Sequence, residues 1–160
     1  MRKIPSAEDL LRDAYFAYVC TADEQNRPHI TPVFFYFDES SGNIYFRTSR
    51  SSKKVSNLLK NNRVSLTIDV RDIEDPFNNT GIIVRGRADL SYDDAKTEIG
   101  SMPFRNSILI RLAEKYGPLV AQLASKDHDW TDVLVEVKPR RIVYWSGGPR
   151  FSVLKLGAVS

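Results

Sequence analysis

The chain has 160 residues, 42% of them hydrophobic and 27% charged, and its formal net charge is +3. These values describe one globular domain over residues 1–160 and exclude a disordered chain. The one cysteine, Cys20, excludes an internal disulfide, and no segment approaches the roughly 18 uninterrupted apolar residues of a membrane-spanning helix. Because the N-terminal residues carry no signal-peptide pattern, we expect a cytoplasmic protein.

The N-terminal third of the chain predicts one short helix and then an antiparallel meander. Ser6 is suited to cap a helix that extends to about Ala14. Strands are expected at 15–22, 29–37 and 44–48, where aromatic and β-branched residues dominate and polar turns lie between. Two tight connections in succession favour antiparallel pairing over βαβ crossovers.

A second helix is predicted after the third strand, beginning near Ser51 or Ser52. Val55, Leu58 and Leu59 recur there at helical spacing and would form a narrow apolar face. This helix therefore connects the meander to the strands that follow.

The remainder of the chain predicts further strands around a helical insert. Apolar and polar residues alternate in the strands, whereas the insert has helical periodicity with proline breaks. The expected strands are 63–70, 81–90, 132–138 and 140–146, with Pro139 between the last two, and the helical insert covers about 93–124 with breaks at 102–103 and 117–118. This order indicates a mainly β protein with peripheral helices, in which an antiparallel sheet closes into a barrel and so removes its exposed edges.

The start of the second helix carries an unusual set of cations and hydroxyls. A helix N-terminus has a partial positive charge and disfavours nearby cations, yet two lysines lie in its first turn. A dianionic phosphate would explain them, because it accepts hydrogen bonds from backbone amides, hydroxyls and cationic side chains. The local pattern also fits exposed lysines beside a serine cap, and this alternative stays open here. The residues concerned are Arg47, Thr48, Ser49, Arg50, Lys53 and Lys54.

Three motifs together resemble the pyridoxamine-phosphate-oxidase-like, FMN-binding split-barrel family. Phe46, Thr48, the Lys53–Lys54 pair and Leu58 look like the family's phosphate-binding signature. Residues 27–34 are similar to its G-x-P-H-x-x-P-V hairpin, and residues 81–88 resemble its V-x-G-x-A strand. The motifs cover roughly residues 10–90 in the family's order. The resemblance implies an antiparallel split β-barrel of the FMN-binding type.

The resemblance also implies a cofactor site made by a homodimer. The backbone of the strand around Thr31, Pro32 and Val33 would lie against the isoalloxazine ring of FMN, or of the deazaflavin F420. The phosphate would be held by Arg47, Thr48, Ser49, Lys53 and Lys54. A second subunit would complete the site, and Trp145, with Arg141 or Arg150, is the candidate contributor.

The implied function is that of an FMN-dependent oxidoreductase, which transfers hydride through the flavin N5 to or from a small molecule. The chain lacks the Arg-rich C-terminal substrate motif of the vitamin B6 oxidase itself, so that particular activity is not expected. An F420-dependent reductase and a non-catalytic flavin or haem binder are the alternatives.

Two other classes of function have weaker support in the sequence. A basic nucleic-acid-binding barrel could stack bases on its aromatic residues, but aromatic side chains on both faces of a strand indicate core packing first. The six aromatic residues are Tyr15, Phe16, Tyr18, Phe34, Phe35 and Tyr36.

No metal site is expected, because His29, His128 and Cys20 lack ligand spacing. Cys20 itself is predicted to be a small buried residue.

Overall fold

The computed structural model describes residues 5–75, 79–92, 102–117, 132–146 and 151–154. Eight strands and three helices lie in these ranges. In chain order they are α1 (Ala7–Asp13), β1 (Ala17–Ala22), β2 (Pro28–Val33), β3 (Tyr36–Asp38), β4 (Asn43–Thr48), α2 (Lys53–Lys60), β5 (Arg63–Val70), β6 (Thr80–Tyr92), α3 (Met102–Tyr116), β7 (Val133–Ser146) and β8 (Phe151–Leu154).

The strands form one antiparallel sheet in the order β2-β1-β5-β6-β7-β4-β3, with β8 also paired to β7. The strands at the two ends of this order, β2 and β3, are consecutive in the chain and are separated only by Phe34 and Phe35. The first part of β7 pairs with β4 and its last part pairs with β8, while β6 follows β7 along both parts. This mainly antiparallel architecture with peripheral helices confirms the predicted fold class.

The core lies on one face of the curved sheet. In β5, Val64, Leu66 and Ile68 are buried and the residues between them are not, as the period of two requires. Leu10 and Leu11 of α1 pack into the same cluster. Burial of each such side chain contributes about 1.5–3 kcal/mol. A second, smaller cluster lies on the outer face between α3 and the sheet, and it consists of Tyr45, Ile108, Leu112 and Leu134 with Tyr36 and Tyr116 at its margin.

The predicted start of α1 is confirmed. The Ser6 hydroxyl accepts a hydrogen bond from the Asp9 backbone N–H at 3.1 Å, and the Asp9 carboxylate accepts one from the Ser6 N–H at 2.9 Å. This reciprocal capping box satisfies two of the donors that a helix N-terminus leaves unpaired.

Two predicted strand boundaries were wrong. The segment 29–37 is not one strand, because the chain leaves its partner β1 after Val33 and pairs with β4 from Tyr36. Conversely, 132–138 and 140–146 are parts of one strand, β7, which continues through Pro139 with a β-bulge. Strand β8 was not predicted.

The apolar face predicted for α2 was wrong at one position. Leu59 is 65% exposed, whereas Asn57 is buried together with Val55 and Leu58. The Asn57 Nδ2 donates to the Thr21 Oγ1 of β1 at 3.0 Å, so a paired polar contact replaces one expected apolar contact.

Helix α3 lies inside the predicted helical insert. It begins at Met102 with Pro103 in the first turn, where proline is tolerated, and it ends before Gly117, whose φ is 87°. The rest of the predicted insert lies outside the described residues, and the single-domain assignment stays a prediction. No described helix has the length and apolar character needed to cross a membrane.

Candidate functional site

The site predicted from the sequence lies where β2 and β4 diverge. In the β3–β4 pair, Tyr36 lies opposite Tyr45 and Asp38 opposite Asn43. Continuing this register would bring Val33 opposite Thr48, but β2 turns away to pair with β1. The topology therefore leaves the second edge of β2 without a strand partner among the described residues, and α2 begins after the end of β4.

The N-terminus of α2 has the unusual charge pattern expected from the sequence. Ser52 is the N-cap, and its hydroxyl accepts from the Val55 N–H at 3.3 Å. The first turn has no acidic residue, Lys53 is exposed and Lys54 is half-buried. Burial lowers the pKa of Lys54. No described residue forms an ion pair with either lysine, so the described part of the chain supplies no carboxylate for two cations beside a positive helix terminus.

The loop before α2 is held together by its own hydroxyls. Thr48 is buried, and its Oγ1 donates to the Ser52 Oγ at 3.3 Å. The Ser49 and Ser51 hydroxyls lie 2.8 Å apart in a hydrogen bond. Thr48, Ser49 and the lysines are thus brought to one end of the sheet, as the sequence predicted.

Arg50 has a structural role that differs from the expectation. Its backbone N–H and Nε donate to the Asp132 carboxylate at 2.8 and 3.1 Å. Its guanidinium also lies 5.0 Å from the centre of the Tyr92 ring. Arg50 therefore anchors the loop to the residues before β7.

Arg47 projects from the opposite face of β4 to Thr48, because successive strand side chains alternate. It lies opposite Leu134 of β7 and is half-buried. Its neighbour on that outer face is Tyr45, which packs beneath α3. Arg47 and the α2 lysines thus flank the end of β4 from different directions.

The last three residues of β2 are Thr31, Pro32 and Val33, and this strand pairs on one side with β1. Val33 is buried and Pro32 is exposed. The Thr31 Oγ1 atom is inaccessible to solvent and has no hydrogen-bond partner among the described residues. A buried unpaired hydroxyl costs about 1–3 kcal/mol, so this position fits a ligand whose polar edge supplies the missing partner.

Trp145 is not brought to this cluster within one chain. It lies near the end of β7, whereas Thr48 pairs with Val133 at the start of that strand. The Trp145 indole is half-buried and covers Gly81 of β6, where an added Cβ would overlap the ring. A second copy of the chain would have to supply this residue to the site. Of its predicted companions, Arg141 is exposed and Arg150 lies outside the described residues.

A contact between α3 and the β2–β3 junction was not predicted from the sequence. The Tyr116 hydroxyl accepts from the Phe35 N–H at 3.1 Å and donates to the Phe35 carbonyl at 2.9 Å. Burial raises the pKa of Tyr116 to about 12. The adjacent Lys115 has its Nζ 3.8 Å from the centre of the Phe35 ring, and burial lowers its pKa to about 8. The only sequence signal was a tyrosine at the end of a helix, before a glycine.

The aromatic residues that could stack nucleic-acid bases are divided between the core and the surface. Phe35 is fully buried, while Tyr15, Phe16 and Phe34 are each more than 40% exposed. Tyr15 and Phe34 stack edge-on with Tyr116, and Phe16 contacts the rings of Tyr15 and Phe34. Tyr18 is exposed and Tyr36 is half-buried.

The prediction for Cys20 was wrong. Its side chain is half-exposed, because it lies on the outer face of β1 and lines a surface cavity.

Among the described residues no three His, Cys, Asp or Glu side chains group as metal ligands, and His128 lies outside those residues.

Comparison with known proteins gives a family match over most of the chain. A family model described as pyridoxamine 5'-phosphate oxidase matches residues 5–146. A 5a,11a-dehydrotetracycline/5a,11a-dehydrooxytetracycline reductase from Streptomyces rimosus is 31% identical over 80 residues. That match spans 49% of this chain and 56% of the reductase, so it covers about half of each protein.

Solved structures share the fold at low sequence identity. The haem storage protein HutZ from Vibrio cholerae has a TM-score of 0.66 at 17% identity, covering 96% of this chain and 95% of HutZ. An F420 reductase has a TM-score of 0.61 at 20% identity, covering 86% of this chain and 96% of the reductase. These likenesses confirm the split-barrel fold predicted from the sequence.

Proposed function

Because the chain belongs to the pyridoxamine 5'-phosphate oxidase family, we propose that it is an FMN-dependent oxidoreductase acting on a small molecule. The observation that carries the proposal is the pair of lysines in the first turn of α2, which have no ion-pair partner among the described residues. A phosphate at this position would be neutralised by Lys53 and Lys54 and would accept from the helix N–H groups.

The remaining predicted residues fit the same cofactor. The hydroxyls of Thr48 and Ser49 lie beside the start of α2, and Arg47 supplies a further cation from the outer face of β4. The edge of β2, where the Thr31 hydroxyl has no partner among the described residues, suits the polar edge of a flavin ring. When bound, the flavin supplies hydride transfer at N5, while this chain binds, orients and partly shields it.

A direct binding experiment tests the proposal. FMN is titrated into the purified protein, and binding is followed by the visible flavin bands and by flavin fluorescence. We expect the double variant Lys53→Gln/Lys54→Gln to bind FMN at least a hundredfold more weakly, since each charge-assisted contact is worth about 1.5–3 kcal/mol. Lys60→Gln, on the last turn of the same helix, is the matched control and should bind FMN normally.

The outcomes separate the alternatives. Tight binding of F420 in place of FMN would assign the protein to the deazaflavin-dependent reductases, and binding of haem alone would make it a haem binder. Equal FMN affinity of the double variant and the wild type would refute the site. Oxidation of reduced nicotinamide with an electron acceptor then distinguishes an enzyme from a protein that only stores its cofactor.

We also propose a homodimer in which Trp145 contributes to the partner's site. The support is its position at the far end of β7 from Thr48 within one chain. A mixture of the double lysine variant with Trp145→Ala should form heterodimers that each hold one intact site. In an equimolar mixture about a quarter of the sites should regain FMN affinity, because half of the dimers are mixed. No recovery in a freely exchanging mixture would refute the shared site.

A further inference from the structure

A surface cavity on the outer face of β5, β6 and β7 is lined by four arginines. Its volume is about 540 Å³, within the range of small-molecule sites. No acidic side chain is among the described residues that line it, and none of the four arginines forms an ion pair with another described residue. The arginines are Arg63, Arg85, Arg87 and Arg140, and Cys20, Val64, Ser65 and Gly86 complete the lining.

The strand register places like charges directly beside each other. Arg63 of β5 lies opposite Arg87 of β6, and Ser65 lies opposite Arg85. Like charges in directly opposed cross-strand positions destabilise a sheet. Elsewhere on the same strands the fold does pair its cations, since Lys138 lies 2.6 Å from the Asp89 carboxylate. Sheet stability therefore does not account for the arginines around the cavity.

The β-bulge in β7 adds the fourth arginine. Gly86 pairs with Pro139 and Arg85 pairs with Arg141, so Arg140 is the extra residue that the register skips. Bulges turn a side chain in a direction that regular pairing would not allow. The close approach needs a glycine, because a Cβ on Gly86 would overlap the Lys138 carbonyl oxygen.

We propose that this cavity binds a small molecule that carries two or three linked phosphate groups. Guanidinium groups bind phosphate oxygens with paired, parallel hydrogen bonds, and Ser65 adds a hydroxyl donor. Arg85 and Arg87 are two residues apart on one strand and so about 7 Å apart, which spreads the positive charge over more than one phosphate. The cavity lies on a different part of the sheet from the start of α2, so this ligand is separate from the proposed flavin.

Calorimetric titration with tripolyphosphate and with ATP tests the proposal. We expect Arg87→Gln and Arg140→Gln each to weaken tripolyphosphate binding at least tenfold, and Arg111→Gln, an exposed arginine of α3, to leave it within twofold. Thermal unfolding of each variant checks that it is folded. ATP binding more tightly than tripolyphosphate would identify a nucleotide, and the reverse would identify an inorganic or sugar-linked polyphosphate.

Cys20 provides an independent readout, because it lines the cavity and is the only cysteine. Saturating tripolyphosphate should slow its alkylation by N-ethylmaleimide severalfold in the wild type and much less in Arg87→Gln. The Lys53→Gln/Lys54→Gln variant should keep this protection, which separates the inference from the flavin proposal.

Three results would overturn the proposal that the arginine-lined cavity binds a polyphosphate. They are equal affinity of the arginine variants and the wild type, affinity for single-stranded DNA that rises with its length, and a change in oligomeric state on substitution of the arginines. The second result would show a nucleic-acid surface, and the third would show a contact between subunits.

Discussion

The Tyr116 hydroxyl serves both backbone groups of Phe35, accepting from its N–H and donating to its carbonyl. Phe35 lies where the chain leaves β1 and joins β4, so strand pairing does not satisfy these groups. One side chain from α3 thus replaces a strand partner at the point where the sheet opens. Val33, one of the residues proposed for the flavin site, ends β2 directly before this junction, and α3 packs on the outer face of the sheet beside Tyr36 and Tyr45.

Replacing Tyr116 with phenylalanine should destabilise the fold by about 1–3 kcal/mol, because two backbone groups lose their partner in a half-buried position. Urea unfolding followed by circular dichroism measures the change. Tyr36→Phe is the matched control, since Tyr36 packs against the same outer cluster and its hydroxyl has no hydrogen bond with a described residue. Equal losses in the two variants would show that packing, and not the Phe35 hydrogen bonds, is responsible.

Lys115 should make stability depend on pH in the alkaline range. Burial lowers its pKa to about 8 in the folded protein, while an unfolded lysine keeps its ordinary value of 10.5. Between these values the unfolded chain binds more protons than the folded one, so the free energy of unfolding should rise from pH 8 toward pH 10.5. In Lys115→Met this contribution should be absent, and the difference between the two stability curves isolates it.

The free energy of unfolding should be compared between the wild type and Lys115→Met only below pH 10. Burial raises the pKa of the adjacent Tyr116 to about 12, so its ionisation lowers stability as the pH rises from 10 to 12. A difference curve that is flat between pH 8 and 10 would show that the Lys115 ammonium is solvated in the folded protein.

Local sequence patterns were sufficient to predict much of the fold. The alternation of Val64, Leu66 and Ile68 predicted β5, and Ser6 and Ser52 marked the starts of two helices. The capping contacts of the two helices join residues three positions apart, and the alternation in β5 is a pattern within one strand. The lysines at the start of α2 are likewise a local pattern.

The features of the fold that were predicted wrongly depend on contacts between residues that are distant in the sequence. The end of β2 after Val33 is stabilised by Tyr116, which lies 81 residues beyond Phe35. No local sequence pattern predicts this strand end. Pro139 suggested a strand end, but the close approach of Gly86 lets β7 continue through a bulge. Asn57 could not be placed in the core without its partner Thr21, 36 residues earlier. Tertiary pairing, rather than propensity, decides these positions.

Thr31→Val should leave the cofactor-free protein as stable as the wild type or more stable, because no described residue forms a hydrogen bond with the buried Thr31 hydroxyl. The same substitution should weaken FMN binding severalfold if the hydroxyl contacts the flavin. Urea unfolding and flavin titration measure the two effects separately.

Thr67→Val is the contrasting control for Thr31→Val. The Thr67 Oγ1 donates to the Ile82 carbonyl at 2.8 Å, so its loss should cost about 1 kcal/mol and leave FMN affinity unchanged. A destabilised Thr31→Val protein with full FMN affinity would place the hydroxyl in the core rather than in the cofactor site.

Gly81→Ala should displace Trp145, because a Cβ at residue 81 would overlap the indole and lie 2.9 Å from the Ile68 carbonyl oxygen. We expect a loss of about 1–3 kcal/mol in unfolding free energy. Near-ultraviolet circular dichroism should change in a Trp130→Phe background, where Trp145 is the only tryptophan.

Gly42→Ala is the control for Gly81→Ala. Gly42 has a φ of 71° and open space around it, so alanine there should cost about 1 kcal/mol of backbone strain without altering the Trp145 signal. If Trp145 completes the partner's flavin site, Gly81→Ala should also weaken FMN binding while Gly42→Ala should not. Unchanged affinity in a Gly81→Ala protein whose Trp145 signal has shifted would confine the indole to packing on β6.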